Sequence, residues 1–245
     1  MVVPEPSAAD PHPQLSMVVP AFNEEAMLDA CIRIMSQTLC DAGLTHEIIL
    51  VDDGSRDRTA EIADRLAREV AFVHVHHQLN QGIGGAFRTG VRASRGQYVG
   101  LWPVDMPCRM ADLRPYIRCL GRASVIVGCR RRRKGYNSLM LMNAWLYPRI
   151  VFGLFGLRLR DVNWICLYDG PMLRDVRLTQ SGIPMLTEIL VRLSHRGATF
   201  LEVDVEMTTR ASGVPSAASL RVMYNTLLGL LRLWSTWRSE KERVL

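Results

Sequence analysis

The stretch EIILVDDGSRDRT, residues 47–59, decides the fold of this chain. Ile48 to Val51 form an apolar run of the kind found in a strand covered on both faces, as in the parallel sheet of an α/β protein. Asp52 and Asp53 follow at the carboxyl end of this predicted strand, where open α/β sheets bind ligands. Alternatively, one of them only caps the helix predicted to begin near Asp57. This stretch alone leaves both interpretations open.

Three further apolar segments repeat this arrangement. Residues 16–19, 71–75 and 97–101 each predict a strand, and each is followed by a polar or glycine-containing loop. Strands that alternate with helices over short connections predict an α/β fold with three layers and a mostly parallel central sheet. Right-handed crossovers place such strand ends at one edge, so we expect polar groups from four loops to converge on one crevice.

The length of 245 residues suits one large domain with a full core. Residues 1–14 are rich in Pro and Ala, and we expect a flexible tail there and not a signal peptide. The main domain is predicted at residues 15–218, followed by a C-terminal amphipathic helix and tail at residues 219–245. The six cysteines form no CxxC pair, which is typical of reduced, buried thiols in a cytosolic protein.

The net charge of +6 indicates an anionic partner, and its distribution suggests a membrane surface. The run CRRRRK, residues 129–134, precedes a strongly apolar segment at residues 138–157. Asn143, Pro148 and Arg149 interrupt this segment, and a charge at the centre of a bilayer costs about 3 kcal/mol. We therefore predict two short helices that lie against an anionic membrane surface.

A second apolar element is predicted at the C-terminus. One broad helical stripe contains Leu220, Met223, Tyr224, Leu227, Leu228, Leu231, Trp234 and Trp237. Arg221, Arg232 and Arg238 lie near this stripe, where they can reach lipid headgroups. The alternative for both apolar elements is an ordinary core helix or a dimer interface, so a homodimer stays open. We expect no nucleic-acid partner, because the basic run lacks interleaved aromatic residues.

Four segments in order resemble a known family. They are VVPAFNEE (18–25), EIILVDDGSRDRT (47–59), NQGIGGAFRTGVRASRGQYVGL (80–101) and VIVGCR (125–130). They resemble the inverting GT-A glycosyltransferases of family two, most closely the dolichol-phosphate mannose synthases and related polyprenyl-phosphate glycosyltransferases. The resemblance extends from about Leu15 to about Trp234, and it implies the GT-A (Rossmann-like) version of the three-layer fold.

The resemblance also implies a pocket for a nucleotide sugar. The matching positions are Pro20, Phe22, Glu24, Val51, Asp53 and Val104. An aromatic face and carboxylates suit a base with amide donors, and both GDP- and UDP-linked sugars stay open. The glycine-rich turn at residues 82–85 lacks the spacing of a dinucleotide fingerprint, so tight helix packing is its expected role.

The family motif D-x-D, whose carboxylates hold Mg²⁺ or Mn²⁺ against the diphosphate, is incomplete in this chain. The matching run is PVDMP, residues 103–107, in which Asp105 survives and Pro103 replaces the first aspartate. Mg²⁺ commonly binds through one or two carboxylates together with phosphate oxygens and waters. The resemblance therefore implies a weakly bound Mg²⁺ or Mn²⁺ at Asp105 and leaves open whether the metal is required.

Phosphate binding is implied at two arginines. Arg130 matches the arginine after the fifth strand, and a planar, permanently charged fork suits phosphate. Arg210 matches the start of the signature R-x-x-G-x-S-K, although residues 214–217 read VPSA and the signature lysine is missing. A surface arginine in a loop is the alternative for Arg210. If the acceptor is a neutral hydroxyl, Asp161 is the candidate base, whereas an acceptor phosphate needs none.

These residues together predict a hexosyltransferase. We expect it to move mannose or glucose from a nucleoside-diphosphate sugar to a polyprenyl phosphate with inversion. The enzyme would be cytoplasmic and peripheral to the inner face of the membrane. One alternative is a soluble small-molecule acceptor, which the missing lysine favours. Another is a catalytically silent nucleotide-sugar binder, which Pro103 and Pro107 favour.

Overall fold

The computed structural model describes residues 12–105, 110–131, 136–180, 182–206 and 220–242. Its elements in chain order are β1 (Leu15–Ala21), α1 (Leu28–Asp41), β2 (His46–Asp52), α2 (Thr59–Glu69), β3 (Val73–His77), α3 (Gly82–Ala93), β4 (Tyr98–Leu101), α4 (Met110–Ile117), β5 (Val125–Arg130), α5 (Ser138–Phe155), β6 (Cys166–Asp169), α6 (Gly170–Arg174), α7 (Ile183–His195), β7 (Phe200–Val205) and α8 (Leu220–Glu242). Most of the predicted tail lies outside the described residues. Its last residues already join the sheet region, because Pro13 and Gln14 accept hydrogen bonds from the amides of Gln97 and Tyr98.

The strands form one seven-stranded sheet in the order β3-β2-β1-β4-β6-β5-β7. The first four strands run parallel, with Leu15 of β1 opposite both His46 of β2 and Tyr98 of β4. β5 and β7 are parallel to each other, whereas β6 runs antiparallel to both of its neighbours. The predicted, mostly parallel sheet is confirmed, and the carboxyl ends of β1 to β5 and β7 lie at one edge.

Helices cover both faces of the sheet and complete the three layers. The apolar stripe of α1 is buried with residues of α2 and α4 on one face, and α3 and α5 to α8 contribute to the core on the other. α3 approaches β1 closely at Gly90, where an added Cβ would lie 2.2 Å from Cγ1 of Val18. A glycine at this position therefore allows helix and strand to pack directly against each other.

Residues 138–155 form one continuous helix, so the prediction of two short helices is wrong. α5 begins after Asn137, whose side chain accepts a hydrogen bond from the amide of Met140, and it continues through Pro148. Proline removes one intrahelical hydrogen bond. Burial of Tyr147 and Val151 on either side of the proline holds both halves against the core. Packing therefore outweighs the local helix-breaking signal.

The predicted C-terminal helix is present, but its apolar residues divide between two environments. Leu230 and Leu233 are fully buried, and Trp234 and Trp237 pack against the same core. The exposed large side chains are Tyr224, Leu227 and Leu231. Placing both tryptophans on a lipid-facing stripe was therefore wrong, because contact with α7 and α5 buries that side of α8.

Five of the six cysteines lie in the described residues, and all five are free thiols. Cys31, Cys119, Cys129 and Cys166 are buried as predicted, whereas Cys40 is exposed. Burial raises the pKa of Cys31 and of Cys166 to about 12, so both thiols stay protonated. Cys108 lies outside the described residues.

Candidate active site

The loops that follow β1, β2 and β3 are joined by hydrogen bonds into one unit, which we call the loop cluster (residues 22–25, 53–59 and 78–81). The amide of Asn23 donates to Oγ of Ser55 at 3.0 Å, and the amide of Arg56 donates back to Oδ1 of Asn23 at 2.8 Å. The amide of Glu24 donates to Oγ1 of Thr59 at 2.8 Å. These bonds fix the first two loops against each other at the carboxyl edge of the sheet.

Asp52 is a structural member of this cluster. Its Oδ1 accepts from the amide of Ser55, and its Oδ2 lies 3.1 Å from Nδ1 of His77. Nε2 of His77 lies 3.0 Å from a carboxylate oxygen of Asp64, so the imidazole links β2 to α2. Hydrogen bonds to Asp52 and then to Asp64 raise the pKa of His77. Both carboxylate oxygens of Asp52 thus serve the fold.

Asp53 is held differently from its neighbour. Only 3% of its surface is exposed, and its Oδ1 accepts from Nε2 of Gln78 at 2.6 Å and from the amide of Gln81 at 2.9 Å. Oγ1 of Thr89 donates to Oε1 of Gln78, which fixes the orientation of the Gln78 amide. Neither aspartate caps α2, because the amide of Thr59 donates to Asp57. Asp53 therefore anchors the third loop to the second.

The other residues predicted to bind a nucleotide sugar occupy two kinds of environment. Phe22 is 44% exposed within the loop cluster, and Pro20 is half-buried at the end of β1. The side chains of Val51 and Val104 are buried in the two cores on opposite faces of the sheet. Only their backbone could therefore line a binding site, whereas Phe22 offers an aromatic side chain.

Negative charge gathers where the loop after β4 meets the loop cluster. Burial, the charge of Asp105 and the charge of Asp57 raise the pKa of Glu24. Asp105 is half-buried at this edge. Among the residues that the structure describes, no three His, Cys, Asp or Glu side chains form a metal-binding group. Oxygen ligands at a negatively charged edge fit a hard cation such as Mg²⁺ or Mn²⁺, provided that a phosphate ligand shares the coordination.

Arg130 and Asp161 form a buried ion pair at the end of β5. Nε and Nη2 of Arg130 donate to the two carboxylate oxygens of Asp161 at 2.7 and 2.8 Å. Nη1 donates to the hydroxyl of Tyr136, and the guanidinium carbon lies 4.7 Å from the centre of the Trp164 ring. Burial opposes the charge of Arg130, but its bonds to Asp161 outweigh this and raise its pKa. Arg130 is therefore charged and rigidly oriented.

This ion pair lines a pocket of about 300 Å³. The other lining residues are Cys129, Arg131, Arg160 and Asp204. Tyr136 and Trp164 were not singled out from the sequence, because nothing in their spacing reveals that they contact an arginine. Asp161 holds Arg130 through both oxygens, and one of these also accepts from the amide of Asn163. In the folded protein Asp161 is thus placed to orient Arg130.

Two further carboxylates, those of Asp169 and Glu188, act in local structure. Asp169 accepts from the amide of Met172 and caps α6. Glu188 is fully buried and accepts from the amides of Thr179 and Gln180. Arg210, the position of the missing lysine and residues 106–109 lie outside the described residues.

Sequence comparison finds one matching family and several curated relatives. The pattern of the family "Glycosyl transferase family 2" matches residues 16–178. Human dolichyl-phosphate beta-glucosyltransferase is 34% identical over 190 residues, which cover 72% of this chain and 56% of that protein. The undecaprenyl-phosphate 4-deoxy-4-formamido-L-arabinose transferase of Pseudomonas aeruginosa is 40% identical over 236 residues, which cover 91% of this chain and 65% of that protein. The chain spans about half the length of several such relatives.

Solved structures share the fold at lower sequence identity. Glucosyl-3-phosphoglycerate synthase from Mycobacterium tuberculosis, in complex with Mn²⁺, UDP-glucose and phosphoglyceric acid, superposes with a TM-score of 0.70. The identity is 17%, and the match covers 91% of this chain and 80% of that one. Such a likeness establishes the fold, and it confirms the predicted GT-A architecture.

Proposed function

The chain belongs to glycosyl transferase family 2, and we propose that it transfers a hexose from a nucleoside-diphosphate sugar to a polyprenyl phosphate with inversion. Two of its relatives are named for transfer to dolichyl phosphate or undecaprenyl phosphate. The loop cluster supports the donor part of the proposal, because Phe22, Glu24 and Asp53 come from adjacent strand ends. The hexose is of the mannose or glucose type.

The reaction needs little from the protein beyond positioning and charge. An oxygen of the acceptor phosphate attacks the anomeric carbon opposite the diphosphate. The carbon–oxygen bond to the diphosphate breaks, and the nucleoside diphosphate leaves with the electron pair. Since the phosphate is already an anion, no base is required, which agrees with the engagement of Asp161 by Arg130. Arg130 and Arg210 stabilise phosphate charge during transfer.

Asp105 is the residue that would hold Mg²⁺ or Mn²⁺, and Glu24 adds negative potential nearby. When bound, the ion neutralises negative charge on the diphosphate. With Pro103 in place of the first motif aspartate, most of the remaining ligands would be phosphate oxygens and waters. We therefore propose weak binding of the ion in the absence of nucleotide.

The proposal of a lipid acceptor rests on the exposed apolar side of α5. Its exposed large side chains are Leu141, Met142, Trp145, Leu146 and Phe152. Arg149 lies 3.9 Å from the centre of the Trp145 ring, and Arg158 lies 4.8 Å from that of Phe152. Aromatic residues paired with arginines suit the boundary between acyl chains and anionic headgroups.

By length and apolar composition, α5 could also cross a membrane, and only 22% of its 18 residues are buried in the fold. It is the one described helix that could do so, on length and composition only. We propose peripheral contact with the inner face of the membrane and not a span. Arg149 and Pro148 lie inside α5, and a span would bury the charge of Arg149 in the bilayer. The exposed residues of α8 would extend this surface.

A transfer assay tests the reaction. Radiolabelled UDP- and GDP-hexoses are incubated with the full chain and vesicles that contain polyprenyl phosphate, with Mn²⁺ or with chelator. We expect labelled lipid, and at least about tenfold less from Asp105→Ala, equivalent to about 1.4 kcal/mol. Asp41→Ala, an exposed carboxylate at the far end of α1, is the matched control. Full activity of Asp105→Ala would remove that residue from the mechanism.

The acceptor class is decided in the same assay. Label on a soluble small-molecule acceptor, with none on lipid, would support the alternative of a soluble acceptor, which the missing lysine favours. Nucleotide binding without any transfer would support the catalytically silent alternative.

Vesicle flotation tests the membrane surface separately. Trp145 is 57% exposed, and Trp145→Glu should weaken partitioning about tenfold, because burying a large apolar side chain contributes about 1.5 kcal/mol or more. Leu79→Glu is the control, because Leu79 is exposed on the loop cluster and not on α5. Native protein that stays at the bottom with anionic vesicles would contradict peripheral binding.

A further inference from the structure

Tyr136 lies between the buried ion pair at the end of β5 and the start of α5. It directly precedes Asn137, the residue that caps α5. Its hydroxyl accepts a hydrogen bond from Nη1 of Arg130 at 2.8 Å, and the guanidinium carbon lies 6.0 Å from the centre of its ring. One half-buried side chain therefore connects the proposed phosphate-binding arginine with the helix that is proposed to contact lipid.

The neighbours of Arg130 leave this residue few donors for a ligand. Of its five N–H groups, one on Nε and one on Nη2 bind Asp161 and one on Nη1 binds Tyr136, so at most two remain. The Trp164 ring lies beside the guanidinium, and the side chain of Arg130 is only 9% exposed. A phosphate monoester presents three strong acceptor oxygens. The acceptor phosphate can therefore take a further donor beside Arg130.

The exposed arginines of the same pocket are already paired with carboxylates. Arg131 and Arg160 lie 3.9 and 2.9 Å from carboxylate oxygens of Asp204, and Arg160 also pairs with Glu202. These carboxylates neutralise part of the positive charge around the pocket. A neutral hydroxyl next to Arg130 would add a donor that needs no counter-ion.

The hydroxyl of Tyr136 can supply this donor. A phenol accepts through its oxygen and donates its own proton. In the part of the chain that the structure describes, the bond from Arg130 uses the oxygen and leaves the proton to be donated. A hydroxyl that accepts from a charged guanidinium is polarised, and it becomes a stronger donor in turn.

We propose that the hydroxyl of Tyr136 donates to an oxygen of the acceptor phosphate while Arg130 holds the hydroxyl in place. This inference rests on the proposed function, because it assumes that Arg130 meets the acceptor phosphate. A phosphodiester headgroup carries one fewer unesterified oxygen than a monoester. The additional donor therefore makes the site selective for a lipid phosphate monoester over ordinary anionic lipids.

Initial-rate kinetics of the full chain on vesicles that contain polyprenyl phosphate test this role. Tyr136→Phe should raise the KM for the acceptor at least about tenfold, because it removes a hydrogen bond to a charged group. The kcat and the KM for the nucleotide sugar should stay within about twofold, because the bond forms in the bound state as well as in the transition state. An unchanged acceptor KM, or a loss in kcat alone, would overturn the proposal.

Tyr98→Phe is the matched control for these kinetics. It also removes a tyrosine hydroxyl that takes part in hydrogen bonds, with Ala123 and Gly121. Tyr98 begins β4, however, and so lies at the opposite edge of the sheet from the site. All kinetic constants of folded Tyr98→Phe should match those of the native protein. The same rise in acceptor KM in both variants would overturn the proposal.

Vesicle binding measures the contact without any transfer step. Zwitterionic vesicles carry an equal fraction of polyprenyl phosphate, of neutral polyprenol or of phosphatidylglycerol, which is an anionic phosphodiester. Native protein should bind the polyprenyl phosphate vesicles at least about tenfold more tightly than the polyprenol vesicles. Tyr136→Phe should lose most of this difference and should bind phosphatidylglycerol vesicles as native protein does.

Two results would count against the inference in different ways. An equal loss of Tyr136→Phe binding to both kinds of anionic vesicle would overturn it, because the hydroxyl would then contact any lipid headgroup. If native protein does not distinguish polyprenyl phosphate from polyprenol, the proposed lipid acceptor itself fails, and the inference fails with it.

Discussion

Removing Asp161 should destabilise the protein strongly because Arg130 then remains as a buried, unpaired charge. The side chains are only 9% and 3% exposed, and two short hydrogen bonds join them. Breaking a buried ion pair from one side costs about 3–5 kcal/mol, since the remaining charge keeps its desolvation penalty. Asp161→Leu, which replaces the carboxylate with an apolar side chain, is the perturbation.

The double variant Arg130→Met/Asp161→Leu separates this effect from simple loss of contacts. Replacing both charges with apolar side chains is often neutral for stability. Here the hydroxyl of Tyr136 and the amide of Asn163 lose a partner, at about 1 kcal/mol each. We therefore expect the double variant to lose about 2 kcal/mol or less, which is less than Asp161→Leu alone.

Urea unfolding followed by circular dichroism measures all three variants, including Arg130→Met. For a domain of this size, 3–5 kcal/mol lowers Tm by roughly 6–20 °C. The transfer assay on the double variant then reports on function, because a folded but inactive protein would place Arg130 in the reaction. A loss below about 1 kcal/mol for Asp161→Leu, or additive losses in the double variant, would refute the reasoning.

Two further predictions concern stability elsewhere in the chain. Gly90→Ala should lower the free energy of unfolding in urea by about 1–3 kcal/mol, because the new methyl group would overlap Val18. Gly153→Ala should instead stabilise α5 by about 0.5–1 kcal/mol, because nothing lies within 4 Å of its added Cβ. His77→Gln should lower the urea midpoint more at about pH 6 than at about pH 9. Because the pKa of His77 is raised in the folded protein, its charged form stabilises the fold below the unfolded pKa of about 6.5. This contribution disappears as the pH rises through the folded pKa.

Either of two results would contradict these predictions. Equal losses for the two glycine variants would show that the close approach of α3 and β1 can relax. A pH-independent effect of His77→Gln would show that the bridge between β2 and α2 does not depend on imidazole charge.

The parallel half of the fold could be predicted because its signals are local. A strand covered on both faces needs a continuous apolar run, and residues 48–51 provide one whatever their neighbours are. The division of α5 into two helices failed for the opposite reason. Pro148 is a local signal, and the burial of Tyr147 and Val151 that overrides it depends on distant residues such as Thr187.

The candidate site divides in the same way. The order of the strands and the handedness of their crossovers predict that the loops after β1, β2 and β4 converge. The sequence alone therefore predicted that Phe22, Asp53 and Asp105 lie at one edge of the sheet. It could not tell Asp52 from Asp53, because both are aspartates at the same strand end. That distinction depends on His77 and Gln78, which come 25 residues later along the chain.

By itself, the sequence determined the class of fold, the family and the edge of the sheet at which the candidate site lies. Those properties follow from the pattern of apolar residues along the chain, from the order of the strands and from motifs of a few residues. The tertiary structure alone decided that Arg130 and Asp161 pair, and that one carboxylate oxygen of Asp53 accepts hydrogen bonds from both Gln78 and Gln81. The physical reason is that hydrogen bonds have a range of about 3 Å, so their partners are settled only when distant segments pack together.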